Sequence, residues 1–482
     1  MSGSIRVRFS GILLFVGNLV TLLTGLIFNV LIARNLQPAA LGVWFFIGSV
    51  IPYFQILEKA VPYWAGRDIP RGRIVGRTTL QFNLLISIPI TLIFILLSNT
   101  LSAAIVSEPR VFILASIFIP VYYATAALTS VTYSTAPHKL GPRTIIIDGV
   151  KIPLSLALLP IGLEGVITAV IIGNIVYTGY LYGVSRQYLR DSFDVSWLRV
   201  SLKRIWLPLH ENLISYLSMA VDALIVGVML SATDLSHYGI GLAISSVVGT
   251  AKGLTGAIYP KLLKAGAASE SELKSLFKFQ HIFVTPMIVG GIVLSTQLVE
   301  IFGTRYLPAA PLLPILVFSP ALGLVSLTMR TVITGLEKAD RGASGLSLLR
   351  TTLFTTQLPG YLQLATLVSV TVLSVGRLGI MGAAIARLAA SALSLAPMCM
   401  LYSRVARLTT VLHGLEKATV ASAIMAAALT LLNPRGSLQT LASIAAGAAI
   451  YFATLLLIDR DSRQLARRAV DEAKRLVITQ AE

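Results

Sequence analysis

The chain has 482 residues, of which 55% are hydrophobic and 12% are charged, and its mean hydropathy is +0.80. This composition excludes an ordinary soluble domain and indicates an all-α polytopic membrane protein. The net charge of +18 does not point to a nucleic-acid partner, because 29 of the 39 Lys and Arg residues lie in alternate loops and at both termini. This bias predicts a multi-pass protein of the cell membrane with both termini in the cytoplasm, whose basic loops would attract anionic membrane lipids.

Apolar runs of about 20 residues, the length that crosses about 30 Å of hydrocarbon, recur along the whole chain. We predict fourteen transmembrane helices, and twelve is the alternative because the fifth and thirteenth runs could also be re-entrant segments or parts of longer helices. The runs are 9–33, 41–62, 79–101, 111–134, 144–162, 165–184, 206–230, 237–260, 280–302, 311–335, 352–375, 379–402, 415–432 and 438–458.

The two halves of the sequence resemble each other at offsets of 194 to 200 residues. Asn18 to Leu23 matches Asn212 to Leu217, and Pro120 matches Pro320. Offsets that increase in small steps are typical of a duplication with short loop insertions. Six crossings per copy is an even number, so the two repeats should be parallel and related by an axis along the membrane normal. The predicted divisions are a first lobe (1–190), a linker (191–203), a second lobe (204–406), two additional helices (407–458) and a cytoplasmic tail (459–482).

Ionisable residues within the apolar runs are the candidate functional residues. A charge at the centre of a membrane helix costs about 3 kcal/mol, so such side chains should face a partner or a wet interior. Asp148 and Lys151 are three residues apart on one helix face and should neutralise each other. The candidates are Glu58, Lys59, Asp148, Lys151, Glu211, Asp222, Lys252, Arg330 and Arg387.

Glu58 and Asp222 are the candidates for coupling or gating. Adjacent residues on a helix diverge by about 100°, so Glu58 should not pair with Lys59 and needs a partner from another helix. At an offset of 194 it matches Lys252, so these two residues could meet across the pseudo-symmetry axis in one state; alternatively, both reach the interface. Asp222 has no basic residue within a turn and could bind a coupling ion or a proton. A static salt bridge to Lys252 or Arg330 is the alternative.

Three segments carry a resemblance to a known family: Leu36 to Trp44, Tyr216 to Tyr238 with Asp222, and Gly303 to Pro311. They resemble the polysaccharide flippases of the multidrug, oligosaccharidyl-lipid and polysaccharide exporter superfamily, over most of positions 9–406. The resemblance implies two six-helix lobes that form a V around a central cavity and open alternately to each side. The implied substrate is an oligosaccharide linked to a polyprenyl or dolichyl diphosphate. A cation-coupled multidrug exporter of the same superfamily is the alternative.

If the resemblance holds, cations in the cavity would bind the diphosphate of the substrate. Lys59, Lys252, Arg330 and Arg387 are the candidates, because guanidinium and ammonium groups bind phosphate oxygens. The competing interpretation is that these residues anchor helix ends near an interface. The two additional helices could shape a groove for the isoprenoid tail.

The sequence offers no motif for a cofactor, a metal or an enzymatic activity. It has no phosphate loop and no His-Glu-x-x-His pattern, and Cys399 is its single cysteine. The predicted external loops are short and carry scattered single acids, whereas a membrane glycosyltransferase would need carboxylates in a sizeable loop. We therefore expect a transporter that needs no cofactor.

Overall fold

The computed structural model describes residues 20–252, 268–336 and 352–464. Within these ranges the chain is all-helical and contains no β-strand. The first bundle comprises α1 (Val20–Asn35), α2 (Pro38–Phe54), α3 (Ala60–Asp68), α4 (Gly76–Ala104), α5 (Pro109–Ala115), α6 (Phe118–Thr135), α7 (Arg143–Leu158) and α8 (Leu163–Ser185).

A short helix, α9 (Val195–Lys203), leads to the second bundle. The predicted boundaries of the two lobes stay predictions. The remaining helices are α10 (Trp206–Met229), α11 (Ala232–Gly249), α12 (Glu270–Val293), α13 (Ser295–Glu300), α14 (Leu313–Leu316), α15 (Phe318–Leu336), α16 (Thr352–Thr355), α17 (Leu358–Leu378), α18 (Ile380–Tyr402), α19 (Leu415–Leu432) and α20 (Ser437–Ile458).

Among the described residues, eleven helices are long and apolar enough to cross a membrane. Two shorter apolar helices, α1 and α2, accompany them. The prediction of an all-α polytopic membrane protein is therefore confirmed, whereas the count of fourteen stays a prediction. Parts of the predicted spans 9–33 and 237–260 lie outside the described residues, as do most of the predicted tail and all of residues 1–19.

Because successive helices are antiparallel, their loops alternate between two faces. Contacts between helix ends support this assignment. Arg110 of α5 forms an ion pair with Glu164 of α8 on one face, and Trp197 of α9 donates to Asp68 of α3 on the other. Face A carries loops 36–37, 105–108, 230–231, 301–312 and 433–436, and face B carries loops 69–75, 136–142, 186–194 and 403–414.

The predicted span 41–62 is not one continuous helix, because α2 ends at Phe54 and α3 begins at Ala60. Pro62 has no N–H to donate to the carbonyl of Glu58 four residues earlier. The intervening turn uses shorter-range bonds, such as Glu58 N to Gln55 O at 2.9 Å. These bonds leave carbonyl groups of the turn without their usual helical donors, inside a region where backbone groups must be satisfied.

Side chains from three other helices satisfy these carbonyl groups. The donors lie on α6, α4 and α10, so the break in the helix is held from both bundles. The bonds run from Tyr123 Oη to Phe54 O at 2.8 Å, from Asn83 Nδ2 to Glu58 O at 2.8 Å and from Asn212 Nδ2 to Ile56 O at 3.3 Å.

A buried ionic cluster at face B joins α19 and α20 to α12. Asp459 is fully buried, and its carboxylate lies 2.6 Å from Lys278 Nζ and 2.8 Å from Lys417 Nζ. The backbone N–H and the hydroxyl of Ser462 also donate to it. Burial raises the pKa of Asp459, but the hydrogen bonds from Lys278, Lys417 and Ser462 outweigh burial and hold the pKa below its ordinary range. The two additional helices are thereby tied to the second bundle.

Candidate functional site

The seam between the bundles is closely packed at face A, where α2 packs against α10 and α11. A Cβ added to Gly42 would lie 1.7 Å from the carbonyl oxygen of Ala232, and one added to Gly239 would lie 2.3 Å from the ring of Phe45. Only glycine permits such an approach. The ends of α2 and α11 therefore meet without space for a substrate in this structure.

Two arginines connect the bundles across the same face, and we call this set of contacts the face A lock. Arg305 donates to the carbonyl of Ala33 at 3.0 Å and to that of Arg34 at 2.7 Å, at the C-terminus of α1. Tyr306 donates to the Ala33 carbonyl at 3.0 Å. In return, Arg34 donates to the Ile301 carbonyl at 2.9 Å. Cations at a helix C-terminus are favoured by the exposed carbonyls and the helix dipole, so the lock holds face A closed.

Glu58 lies at the break between α2 and α3 and contacts the second bundle. Its side chain is buried and accepts a hydrogen bond from Tyr216 Oη of α10 at 2.7 Å. Lys59 Nζ lies 3.7 Å from the same carboxylate and 5.1 Å from the ring centre of Tyr216. The prediction that Glu58 and Lys59 would not pair is wrong, because these residues lie in a turn, where the 100° divergence of a helix does not apply. Lys59 itself is 55% exposed.

Asp222 forms a buried ion pair with Arg387. Arg387 Nη1 donates to Oδ2 of Asp222, and Tyr238 donates to the same oxygen at 2.5 Å. Asp222 is fully buried, so burial of its charge requires such a partner. The static partner expected from the sequence was Lys252 or Arg330; the structure shows Arg387 instead, because α18 rather than α15 brings a cation to this level of α10.

The predicted pairing of Asp148 with Lys151 is confirmed. Their charged atoms lie 2.5 Å apart, and Lys151 Nζ also lies 4.4 Å from the ring centre of Phe28. Thr24 donates to the Asp148 carboxylate. The pair connects α7 to α1, and these contacts favour a structural role for Asp148 and Lys151 over a role in substrate binding.

A cavity of about 360 Å³ opens within the second bundle, between α10, α15, α17 and α18. Its described lining contains one cation, Arg330, and no carboxylate. Ser218 Oγ, which is buried, has no hydrogen-bond partner in the structure. The polar lining residues are Ser215, Ser218, Ser326, Arg330, Thr356, Gln357, Gln363 and Ser394.

The four predicted cations do not converge on one point. Arg330 lines the cavity, Arg387 contacts Asp222, and Lys59 lies at the seam. Lys252, the last described residue before 253–267, is exposed. Its contact with Glu58 stays a prediction for another state. The side chain of Glu211 lies outside the described residues.

Sequence reasoning assigned no role to several residues that build these sites. Four of them contact a residue more than 150 positions away in the sequence, and three of these four donate to backbone carbonyls. Tyr238 contacts Asp222, 16 positions away, and Ser218 has no hydrogen-bond partner. No local sequence pattern predicts such a contact. The residues are Arg34, Arg305, Tyr306, Tyr216, Tyr238 and Ser218.

The described residues form a polytopic helical membrane protein, and the comparisons bear out the predicted resemblance to the polysaccharide flippases of the multidrug, oligosaccharidyl-lipid and polysaccharide exporter superfamily. Residues 75–311 match a family model described as "Polysaccharide biosynthesis protein". No curated protein sequence matched the chain.

Three solved structures illustrate the similarity of fold. The lipid II flippase MurJ, in an inward closed conformation, superposes with a TM-score of 0.73 and 15% identity, covering 93% of this chain and 99% of its own. The Vibrio cholerae MATE transporter VcmN gives a TM-score of 0.57 at 15% identity, covering 83% of this chain and 96% of its own. The eukaryotic MATE transporter AtDTX14 gives 0.55 at 12% identity, covering 86% and 98%.

Proposed function

We propose that the protein is a flippase that moves a polyprenyl- or dolichyl-diphosphate-linked oligosaccharide across the cell membrane by alternating access. The observation that carries this proposal is the second-bundle cavity, which combines Arg330 with hydroxyl and amide groups and, in its described lining, has no acid. A guanidinium suits a diphosphate, and hydroxyl and amide groups suit sugars. A site for organic cations would instead favour carboxylates.

Arg330 is the principal diphosphate ligand in this proposal. Lys59, which is exposed at the seam, and Lys252 are further cations on the substrate's path. Arg387 remains bound to Asp222 in this proposal, so its predicted contact with the diphosphate is not part of it. We infer that face B is cytoplasmic, because the basic loops concentrate there, and that the substrate enters from that side.

Glu58 is the proposed gating residue. Its bond to Tyr216 joins the break in the first bundle to α10 of the second bundle. Separation of the bundles at this level must break that bond, so the Glu58 carboxylate would need another partner in the open state. Lys252 is our candidate for that partner. The additional helices α19 and α20 offer a surface for the isoprenoid tail.

The test is a translocation assay in proteoliposomes with a fluorescent, short-chain polyprenyl-diphosphate oligosaccharide and a quencher added outside. Loss of a charge-assisted hydrogen bond costs about 1.5 to 3 kcal/mol, so Arg330→Ala should slow transport by about 10- to 100-fold. Arg330→Lys should retain part of the rate because it keeps the charge. Arg377→Ala is the matched control, since this exposed arginine lies at the end of α17 and does not line the cavity.

The alternative function, a cation-coupled multidrug exporter, is favoured by the MATE structures that share the fold. Efflux of a fluorescent organic cation from the same proteoliposomes distinguishes the two. Wild-type protein that moves the organic cation but not the lipid-linked oligosaccharide would replace the flippase assignment. Normal oligosaccharide transport by Arg330→Ala would remove Arg330 from the site.

A further inference from the structure

The contacts of Asp222 indicate how its charge is balanced. Three helices converge on it: α10 carries the carboxylate, α11 carries Tyr238 and α18 carries Arg387. From the sequence alone, two interpretations of Asp222 stay open, a site for a coupling ion or proton and a static salt bridge, because no basic residue lies within a turn of it. We propose that Arg387 is a built-in counter-cation that occupies a monovalent-cation site formed by Asp222, Tyr238 and the Met219 carbonyl.

The oxygen atoms around the guanidinium have the composition of a cation site. Arg387 Nη1 contacts Asp222 Oδ2, Tyr238 Oη donates to that same oxygen at 2.5 Å, and Arg387 Nη2 lies 3.5 Å from the Met219 carbonyl. Carboxylate, phenol and carbonyl oxygens are ligands that hard cations prefer. If the guanidinium were removed, these three oxygens would surround a vacant position with a net negative charge.

The site borders the proposed substrate cavity. Met219 both accepts from Arg387 and lines the cavity. The Arg387 side chain is 22% exposed, whereas Asp222 is fully buried. We infer that a small cation does not bind Asp222 while Arg387 remains there, because Oδ2 already accepts from Arg387 and Tyr238 and Oδ1 accepts from the Ala223 N–H.

A counter-cation that belongs to the chain changes how transport can be coupled to an ion gradient. Many transporters load a cation on a buried carboxylate, whereas here the cation belongs to the chain and cannot dissociate. Ion loading at Asp222 should thus play no part in the wild-type cycle. Replacement of Arg387 by a small residue should create dependence on an added cation.

The experiment measures thermal unfolding of the purified full chain in lipid nanodiscs, independently of any transport activity. The probes are guanidinium and sodium at millimolar concentration, with choline at equal ionic strength as the control. Arg387→Ala should unfold at a lower temperature than wild type, and guanidinium and sodium, but not choline, should raise its Tm in a saturable way. Wild type, Arg387→Lys and the double variant Asp222→Asn with Arg387→Ala should show no such response.

Two results would overturn the proposal. One is an Arg387→Ala protein whose Tm responds to cations no more than that of wild type. The other is stoichiometric binding of radiolabelled sodium to wild type that Asp222→Asn abolishes, and this second measurement decides the question even if Arg387→Ala does not fold. Neither result bears on the flippase assignment, which is tested at Arg330 by translocation.

Discussion

The face A lock predicts that Arg305→Ala shifts the protein toward a state open at face A. Arg305 donates to two carbonyls of the other bundle, at 3.0 Å and 2.7 Å. Charge-assisted bonds contribute about 1.5 to 3 kcal/mol when buried, and Arg305 is exposed, so we assign about 1 kcal/mol to each. The sum of about 2 kcal/mol should raise the ratio of open to closed molecules about 30-fold.

Pulsed electron–electron double resonance measures the distribution of distances between two spin labels and thereby the ratio of open to closed molecules. Spin labels at Ala39→Cys and Thr304→Cys, both exposed on face A in different bundles, report the opening in a Cys399→Ser background. The fraction of molecules with the longer distance between the two labels should increase in Arg305→Ala. Arg435→Ala removes a cation from the same face without touching the lock and should leave the distribution unchanged. Identical distributions in wild type and Arg305→Ala would refute the reasoning.

Two further predictions concern stability. Asn83→Ala leaves a buried carbonyl of the broken helix without its donor and should cost about 1 to 3 kcal/mol of unfolding free energy, measured by thermal or denaturant unfolding; a loss below about 0.5 kcal/mol would contradict the role of the asparagine. Lys278→Ala should cost about 3 kcal/mol, near the low end for breaking a buried ion pair, because Asp459 keeps other donors. Since the pKa of Asp459 is held low, its stabilising contribution is complete above its ordinary pKa of about 3.9 and is lost as the pH falls toward its folded pKa. Acid titrations of Tm should therefore be shallower in Lys278→Ala than in wild type.

The fold was predictable from the sequence because the apolar runs have the length of membrane helices. The predicted run 415–432 coincides with α19, and Asp148 and Lys151 pair as their spacing on one helix face requires. Both inferences depend only on local periodicity, which the sequence contains in full.

The contacts of the sites were not predictable in the same way. The prolines of the second span indicate a distortion of the helix. They do not show that the helix breaks at Gln55, or that Asn83 donates to the Glu58 carbonyl in place of the N–H that Pro62 lacks. Asp222 and Arg387 are 165 positions apart, and the choice between Arg387 and Arg330 depends on which helix packs beside α10. For the face A lock, the acceptors are backbone carbonyls, which have no sequence signature at all.

α10 connects the features that the proposed transport cycle needs. Tyr216 of this helix binds Glu58 at the seam, and Ser218, two residues later, lies in the cavity wall with Arg330. A substrate that binds in the cavity must therefore contact the helix whose other side closes the bundles. We expect substrate binding and separation at Glu58 to be energetically coupled.

A double-mutant cycle tests this coupling. Tyr216→Phe removes the bond to Glu58, and Arg330→Lys weakens the diphosphate contact without removing the charge. The substrate's binding free energy should be non-additive in the double variant by about 1 to 3 kcal/mol, the usual size of a coupling between distinct sites. Binding is measured by quenching of tryptophan fluorescence upon titration with the lipid-linked oligosaccharide. Additivity within about 0.5 kcal/mol is expected for independent sites. This result would mean that α10 does not couple substrate binding in the cavity to the contact at the seam. The Glu58 gate would then have to respond to the membrane or to another part of the chain.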